Sequence, residues 1–229
     1  MRNMRSVRFI AIAVVCGLFA AAITVRSMEQ VMQPKVGEKA PDFTLKTLDM
    51  KEVKLSKVIE DGPAVVVMLR GWPGYQCPIC KRQVGDFIGQ AEKFKEAKAQ
   101  VVMVYPGPSE YLDDHAKEFA EMQKESWPDN VTLVLDPDYT MTNAYGLRWD
   151  AEKETAYPST FVVDQEQKVQ YAKISKEHGG RTSAEEVVKA VQALGMEGSD
   201  MKQEDMKAEK SSMMDEDGSE MKDVGSGMK

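Results

Sequence analysis

The chain has 229 residues, 42% hydrophobic and 29% charged, with a formal net charge of −7. That length suits one domain of ordinary size with appendages, in the composition of a globular protein. The acidic balance gives no basis for nucleic-acid binding.

Arg2, Arg5 and Arg8 precede an uncharged, mostly apolar stretch from Phe9 to Val25. A basic segment followed by an apolar one reads as an export signal or a retained membrane anchor over residues 1–27. The rest of the chain is then expected in the periplasm or cell envelope, with residues 9–25 as the membrane contact if they are kept. Cys16 falls inside this stretch, and residues 28–35 read as a linker.

Residues 36–195 carry the pattern of a folded domain. Gly37 and Pro41 mark a loop, and apolar alternation on either side of a polar turn near Asp49 predicts a small N-terminal hairpin. Asp61-Gly62-Pro63 breaks the chain before a buried strand, Ala64–Leu69. A helix follows over Val84–Ala97, with Val84, Phe87, Ile88, Ala91 and Phe94 on one face. Val101–Tyr105 is a second strand. Ser109 is placed to cap a helix with Leu112, Ala116, Phe119 and Ala120 inward. Val131–Leu135 is a third strand, and Tyr139–Tyr145 a short helix ended by Gly146. Pro158–Asp164 leads into a fourth strand that pairs with Lys168–Ile174. Thr182-Ser183-Ala184-Glu185 opens the last helix as a capping box. This order predicts an α/β fold: a mixed sheet sandwiched by helices, parallel in the middle and antiparallel at one side.

Between the first central strand and its helix stands Cys77-Pro78-Ile79-Cys80. The carboxyl ends of strands are where open α/β sheets place their sites. A helix starting at Pro78 puts both sulfurs in or beside its first turn, where free N–H groups and the helix dipole favour a thiolate. Pro78 suits that turn because its missing N–H would have had no partner. Lys81 and Arg82 add positive charge nearby. The chemistry expected is thiol–disulfide exchange or thiol attack on a peroxide. A zinc site is disfavoured, since only His115 and His178 could complete it and they are far apart in sequence. A purely structural disulfide closing so small a loop would stabilise little.

Three segments together, Val36–Leu45, Cys77–Cys80 and Pro158–Asp164, resemble the AhpC/TSA (alkyl hydroperoxide reductase / thiol-specific antioxidant) peroxiredoxin-like branch of the thioredoxin-fold superfamily. The resemblance spans about Val36 to Leu194. It implies a thioredoxin-like (redoxin) fold and antioxidant or thiol oxidoreductase activity on a peroxide or a protein disulfide. No separate cofactor is then expected: a Cys77–Cys80 disulfide forms and an external thiol reductant reopens it. Peroxiredoxins carry Pro-x-x-x-Thr-x-x-Cys, and Pro73-x-x-x-Cys77-x-x-Cys80 matches that spacing with Cys80 in the peroxide-reacting place. A thioredoxin-like register instead makes Cys77, the more exposed thiol, the nucleophile. Pro158 stands where many peroxiredoxins have an arginine, and Tyr157-Pro158 resembles the cis-proline loop of thioredoxins. Arg70, Arg148 and Arg181 are the candidates to replace that arginine. No Asp or Glu lies between Gly62 and Cys80 to serve as a nearby proton acceptor. Trp72, Pro73, Pro78, Tyr157 and Pro158 are the expected supporting residues around Cys77 and Cys80.

Residues 196–229 hold Met, Asp, Glu, Lys, Ser and Gly and no aromatic residue, the composition of a disordered tail. Its methionines, from Met196 to Met228, are soft ligands suited to Cu(I) and targets for oxidation. Two rivals to the peroxidase reading follow: an envelope disulfide reductase without peroxidase activity, and a copper-binding module using the cysteines and the tail.

Overall fold

Strand β3 (Ala64–Met68) reads Ala-Val-Val-Val-Met and is buried at every position, as a strand covered on both faces must be. The structure, a computed structural model, describes residues 33–123 and 126–195. The expectations for residues 1–27 and 196–229 lie outside the described residues. Among the described residues, no helix is long and apolar enough to cross a membrane.

Strand β3 pairs in parallel with β4 (Gln100–Gly107), and β4 in parallel with β5 (Val131–Pro137). On its other side β3 pairs antiparallel with β6 (Ser159–Val163), which pairs antiparallel with β7 (Val169–Ile174). The hairpin of β1 (Thr44–Thr47) and β2 (Glu52–Lys54) closes the far edge against β5, giving the order β2-β1-β5-β4-β3-β6-β7. Residues 37–40 run beside the start of β7 and take up its free backbone groups.

Alternate residues of β3 feed two cores, because successive side chains point to opposite faces. Val65, Val67 and Leu69 pack with α2 (Pro78–Gly89), α3 (Ala91–Glu96), α4 (Leu112–Glu121) and α6 (184–195). Ala64, Val66 and Met68 pack with α1 (Leu55–Val58) and α5 (Thr140–Ala144). The expected sandwich and its mixed sheet are both present.

Three local expectations are corrected. The helix foreseen as one run to Ala97 breaks at Gln90, whose φ of −109° and ψ of 10° leave the helical region. Asn130 Nδ2 bonds the Ala91 carbonyl at 2.9 Å beside the break. Ser109 does not cap α4; its N–H is held by Asp138 Oδ1 at 2.9 Å, and Tyr111 is the cap residue without a side-chain bond. In α6 the capping oxygen is that of Ser183, which accepts the Glu186 N–H at 3.2 Å. Glu186 completes no box, because its carboxylate is taken by Tyr171 and Lys173. Asp86 of α2 supplies a further cap, accepting the Ala184 N–H at 2.7 Å.

Asp136 closes β5 onto α5 and is fully buried. It accepts the N–H groups of Met141 and Thr142, each at 2.8 Å, and the Thr142 hydroxyl at 2.6 Å. Burial pushes its carboxyl up, against the pull of those donors. Asp136→Ala strands the donors and should lower the unfolding free energy by about 3 kcal/mol in urea titrations. Asp136→Asn, which keeps one acceptor oxygen, should lose less.

Candidate active site

Past β3 the chain turns back on itself before entering α2. Gly71 has φ +68°, and a Cβ there would stand 1.8 Å from the Pro106 carbonyl oxygen, so only glycine fits. The far end of the loop is pinned by Gln76. Its Nε2 donates to the His115 carbonyl and to Glu118 Oε2, both at 2.9 Å, and its Oε1 accepts the Tyr105 hydroxyl at 3.0 Å. Trp72 stacks on His115 with ring centroids 3.8 Å apart. Pro73 is buried, and Pro78 is exposed at the first position of α2.

Both cysteines are free thiols and both are buried, Cys77 at 3% exposure and Cys80 at 1%. Cys77 is the more exposed of the two, as expected, but only slightly: as the cap of α2 its sulfur turns in to accept the Cys80 N–H at 3.3 Å. Cys80 Sγ accepts the Arg70 backbone N–H at 3.4 Å. Arg181 Nη2 reaches both sulfurs, at 3.4 Å from Cys80 and 4.0 Å from Cys77. Its other nitrogens are held by Gln83 Oε1 at 2.7 Å and the His178 carbonyl at 3.0 Å. Hydrogen bonding from the Cys80 thiol and N–H, with the Arg181 charge, outweighs burial and brings Cys77 down to about 5. Burial pushes the Cys80 thiol well up, and the neighbouring Cys77 adds to this against the pull of Arg181. The pair therefore gives up one proton readily and holds the other.

Arg181 is thus the arginine on the sulfurs. The Arg70 guanidinium is buried and committed elsewhere: to Glu154 Oε2 at 2.8 Å, the Tyr75 hydroxyl at 2.6 Å and the Lys153 carbonyl at 2.8 Å. The Arg70 carbonyl accepts the Thr155 hydroxyl. Arg148 donates to the backbone carbonyls of Trp149, Glu154 and Thr155 and lies over the Tyr139 ring. Burial opposes ionisation of Glu154, but Arg70 and His178 outweigh it and hold its carboxyl below the usual value.

Tyr157 stacks on Trp149 at 4.8 Å. The Tyr157–Pro158 bond is trans, which corrects the expectation of a cis-proline. Pro158 leads directly into β6; its carbonyl accepts the Ser175 N–H, and the next residue, Ser159, pairs with Met68. Sequence reasoning gave Gln76, Gln83 and Glu154 no place in the site, and weighed His115 and His178 only as zinc ligands. Only Gln83 carried a signal, a polar residue three positions after Cys80 on the buried stripe of α2.

Residues 36–172 match the AhpC/TSA family. The chain belongs to that family. Among curated relatives, the chloroplastic peroxiredoxin Q of Oryza sativa subsp. japonica is 33% identical over 137 residues, covering 59% of this chain and 57% of that one. Peroxiredoxin Bcp of Bacillus subtilis is 28% identical over 141 residues, covering 59% and 82%. This AhpC/TSA chain thus spans little more than half the length of its plant relatives. Peroxidoxin BcpB of Mycobacterium tuberculosis superposes with a TM-score of 0.57 at 24% identity, over 71% of this chain and 99% of that one. A peroxiredoxin-like protein of Aquifex aeolicus gives 0.56 at 25% identity, over 71% and 88%. The fold of this AhpC/TSA member is therefore the thioredoxin-like fold of peroxiredoxins, as expected.

Two measurements test this geometry. Iodoacetamide should modify Cys77 first, with a pH midpoint near 5, against about 8.5 for a free cysteine. The rate should fall as pH drops through that midpoint, because the thiolate takes up its proton. Gly71→Ala should force the loop off Pro106 and lower stability by about 2 kcal/mol in urea melts.

Proposed function

We propose that this chain is a peroxiredoxin-like thiol oxidoreductase that reduces hydroperoxides through Cys77 and Cys80. The observation that carries the reading is the cation of Arg181 set against a buried dithiol at a helix N-terminus. The names of the curated relatives support it. The Cys77 thiolate attacks one peroxide oxygen and the O–O bond breaks. The leaving oxygen takes a proton and departs as an alcohol or water, with Cys77 left as sulfenic acid. Cys80 then attacks the Cys77 sulfur, water leaves, and a disulfide closes. An external dithiol reopens it by exchange. Arg181 stabilises the thiolate and the negative charge that develops on the departing oxygen. Both sulfurs are buried, so a peroxide reaches them through local opening of the loop or of the first turn of α2. The basic and apolar residues at 2–25 support export, and an oxidising envelope compartment suits a cycling dithiol.

A second assignment of the attacking sulfur has its own support. The Arg70 N–H and Arg181 Nη2 both converge on Cys80 Sγ, the thiol in the peroxide-reacting spacing. Hydrogen peroxide consumption with an excess of dithiol, and trapping of sulfenic acid in the single variants, separates the two. Sulfenic acid on Cys77 in Cys80→Ser, with turnover lost in Cys77→Ser, is the expected outcome. Sulfenic acid on Cys80 in Cys77→Ser transfers the attack to Cys80. Negligible peroxide consumption and no sulfenic acid in any form would sink the peroxidase reading.

A further inference from the structure

Arg181 ends a loop that does not hold itself. Gly179 and Gly180 precede it, both exposed, and Gly180 has φ +65°. Glycines of this kind leave the backbone many conformations. A guanidinium 3.4 Å from a sulfur therefore needs an anchor outside the loop. The Ser175 hydroxyl lies against the carbonyls of Glu177 and Gly179, which shapes the turn from within. Two ties join it to the rest of the fold: the bond of Arg181 itself to Gln83 Oε1 at 2.7 Å, and His178. Its Nε2 bonds Glu154 Oε1 at 2.8 Å, and its ring leans on Trp149 at 5.3 Å. Its carbonyl accepts from Arg181 Nε at 3.0 Å. One residue thus holds the frame with its side chain and Arg181 with its backbone. The frame end is rigid, because Glu154 also pairs with the buried Arg70, whose own N–H is on Cys80 Sγ. The contacts close a ring: Cys80, Arg181, His178, Glu154, Arg70 and back to Cys80.

We infer that His178 is a positioning residue that latches the 178–181 loop to Glu154 and so keeps Arg181 on the Cys77–Cys80 pair. This rests on the dithiol reading above and goes beyond it, since His178 acts on the sulfurs only through Arg181. A cation within about 4–6 Å lowers a thiol's pKa by roughly 1–3 units. Releasing the loop forfeits part of that effect while leaving the cysteines and α2 in place.

The test is the pH dependence of iodoacetamide alkylation of the reduced full-length protein. The forms compared are wild type, His178→Ala, His178→Gln, Arg181→Ala and the His178→Ala/Arg181→Ala double variant. Circular dichroism checks that each is folded. His178→Ala should raise the midpoint by about one pH unit, so that at pH 4 the rate falls about tenfold. His178→Gln keeps a donor for Glu154 and should stay near wild type. The double variant should match Arg181→Ala alone, because the two act through one contact. A His178→Ala midpoint equal to wild type, even with a lowered Tm, overturns the latch. So does full additivity with Arg181→Ala. A wild-type midpoint near that of a free cysteine would overturn the dithiol reading itself, and the latch with it.

Discussion

A guanidinium buried where a strand leaves the sheet has to be neutralised on the spot. Taking a cation out of water costs several kcal/mol unless a counter-charge and good hydrogen bonds meet it. Arg70 is 2% exposed, and its donors are met by Glu154, Tyr75 and the Lys153 carbonyl. This clasp joins the loop after β3 to the loop before β6. It also fixes the Arg70 backbone, with the N–H on Cys80 and the carbonyl under Thr155. The side chain serves stability and the main chain serves the site.

Magnitudes show which part of the surroundings makes the thiolate. One pKa unit is about 1.4 kcal/mol, so bringing Cys77 from 9.0 to about 5 asks for about 5 kcal/mol. A helix N-terminus supplies typically 0.3–1 kcal/mol. The helix dipole is therefore the smaller part, although the Cys80 N–H that Cys77 accepts is itself a free donor of the first turn of α2. The larger part comes from the Cys80 thiol and N–H and from Arg181, working against burial. Cys80 shows the other side of the balance: deeper in the core and beside a ready anion, it keeps its proton. Two sulfurs that share Arg181 thus hold one charge between them, and the protonated partner stabilises the ionised one.

The strands and the mix of parallel and antiparallel pairing were legible because each central strand is an apolar run bounded by Gly, Pro or Asp. The dithiol was legible because its two cysteines are close in sequence and stand between a strand and a helix. Where reading failed, a tertiary contact had replaced a local one. Ser109 looked like a cap, but α4 starts only at Leu112, with Tyr111 in the cap position and Ser109 held by Asp138. Tyr157-Pro158 looked like a thioredoxin loop, yet it is ordinary trans chain entering β6. Arg181 stood among three candidates that no local pattern could rank. Glu154 and His178 lie in polar loops, where charged residues usually face water, and nothing in their spacing announces that they meet.

The contact between Arg181 and Cys80 spans 101 residues of chain, and that between Glu154 and Arg70 spans 84. Closing loops of such length comes late, after local pairings such as β3 with β4 have formed. The cysteines therefore exist before their site does. On a growing chain they are two neighbouring thiols with the acidity of ordinary cysteine. The part of their reactivity owed to Arg181 arrives only when the last hairpin and the loop beyond it dock. Folding itself thus acts as the activation step, and an incomplete chain carries the dithiol in its least reactive form.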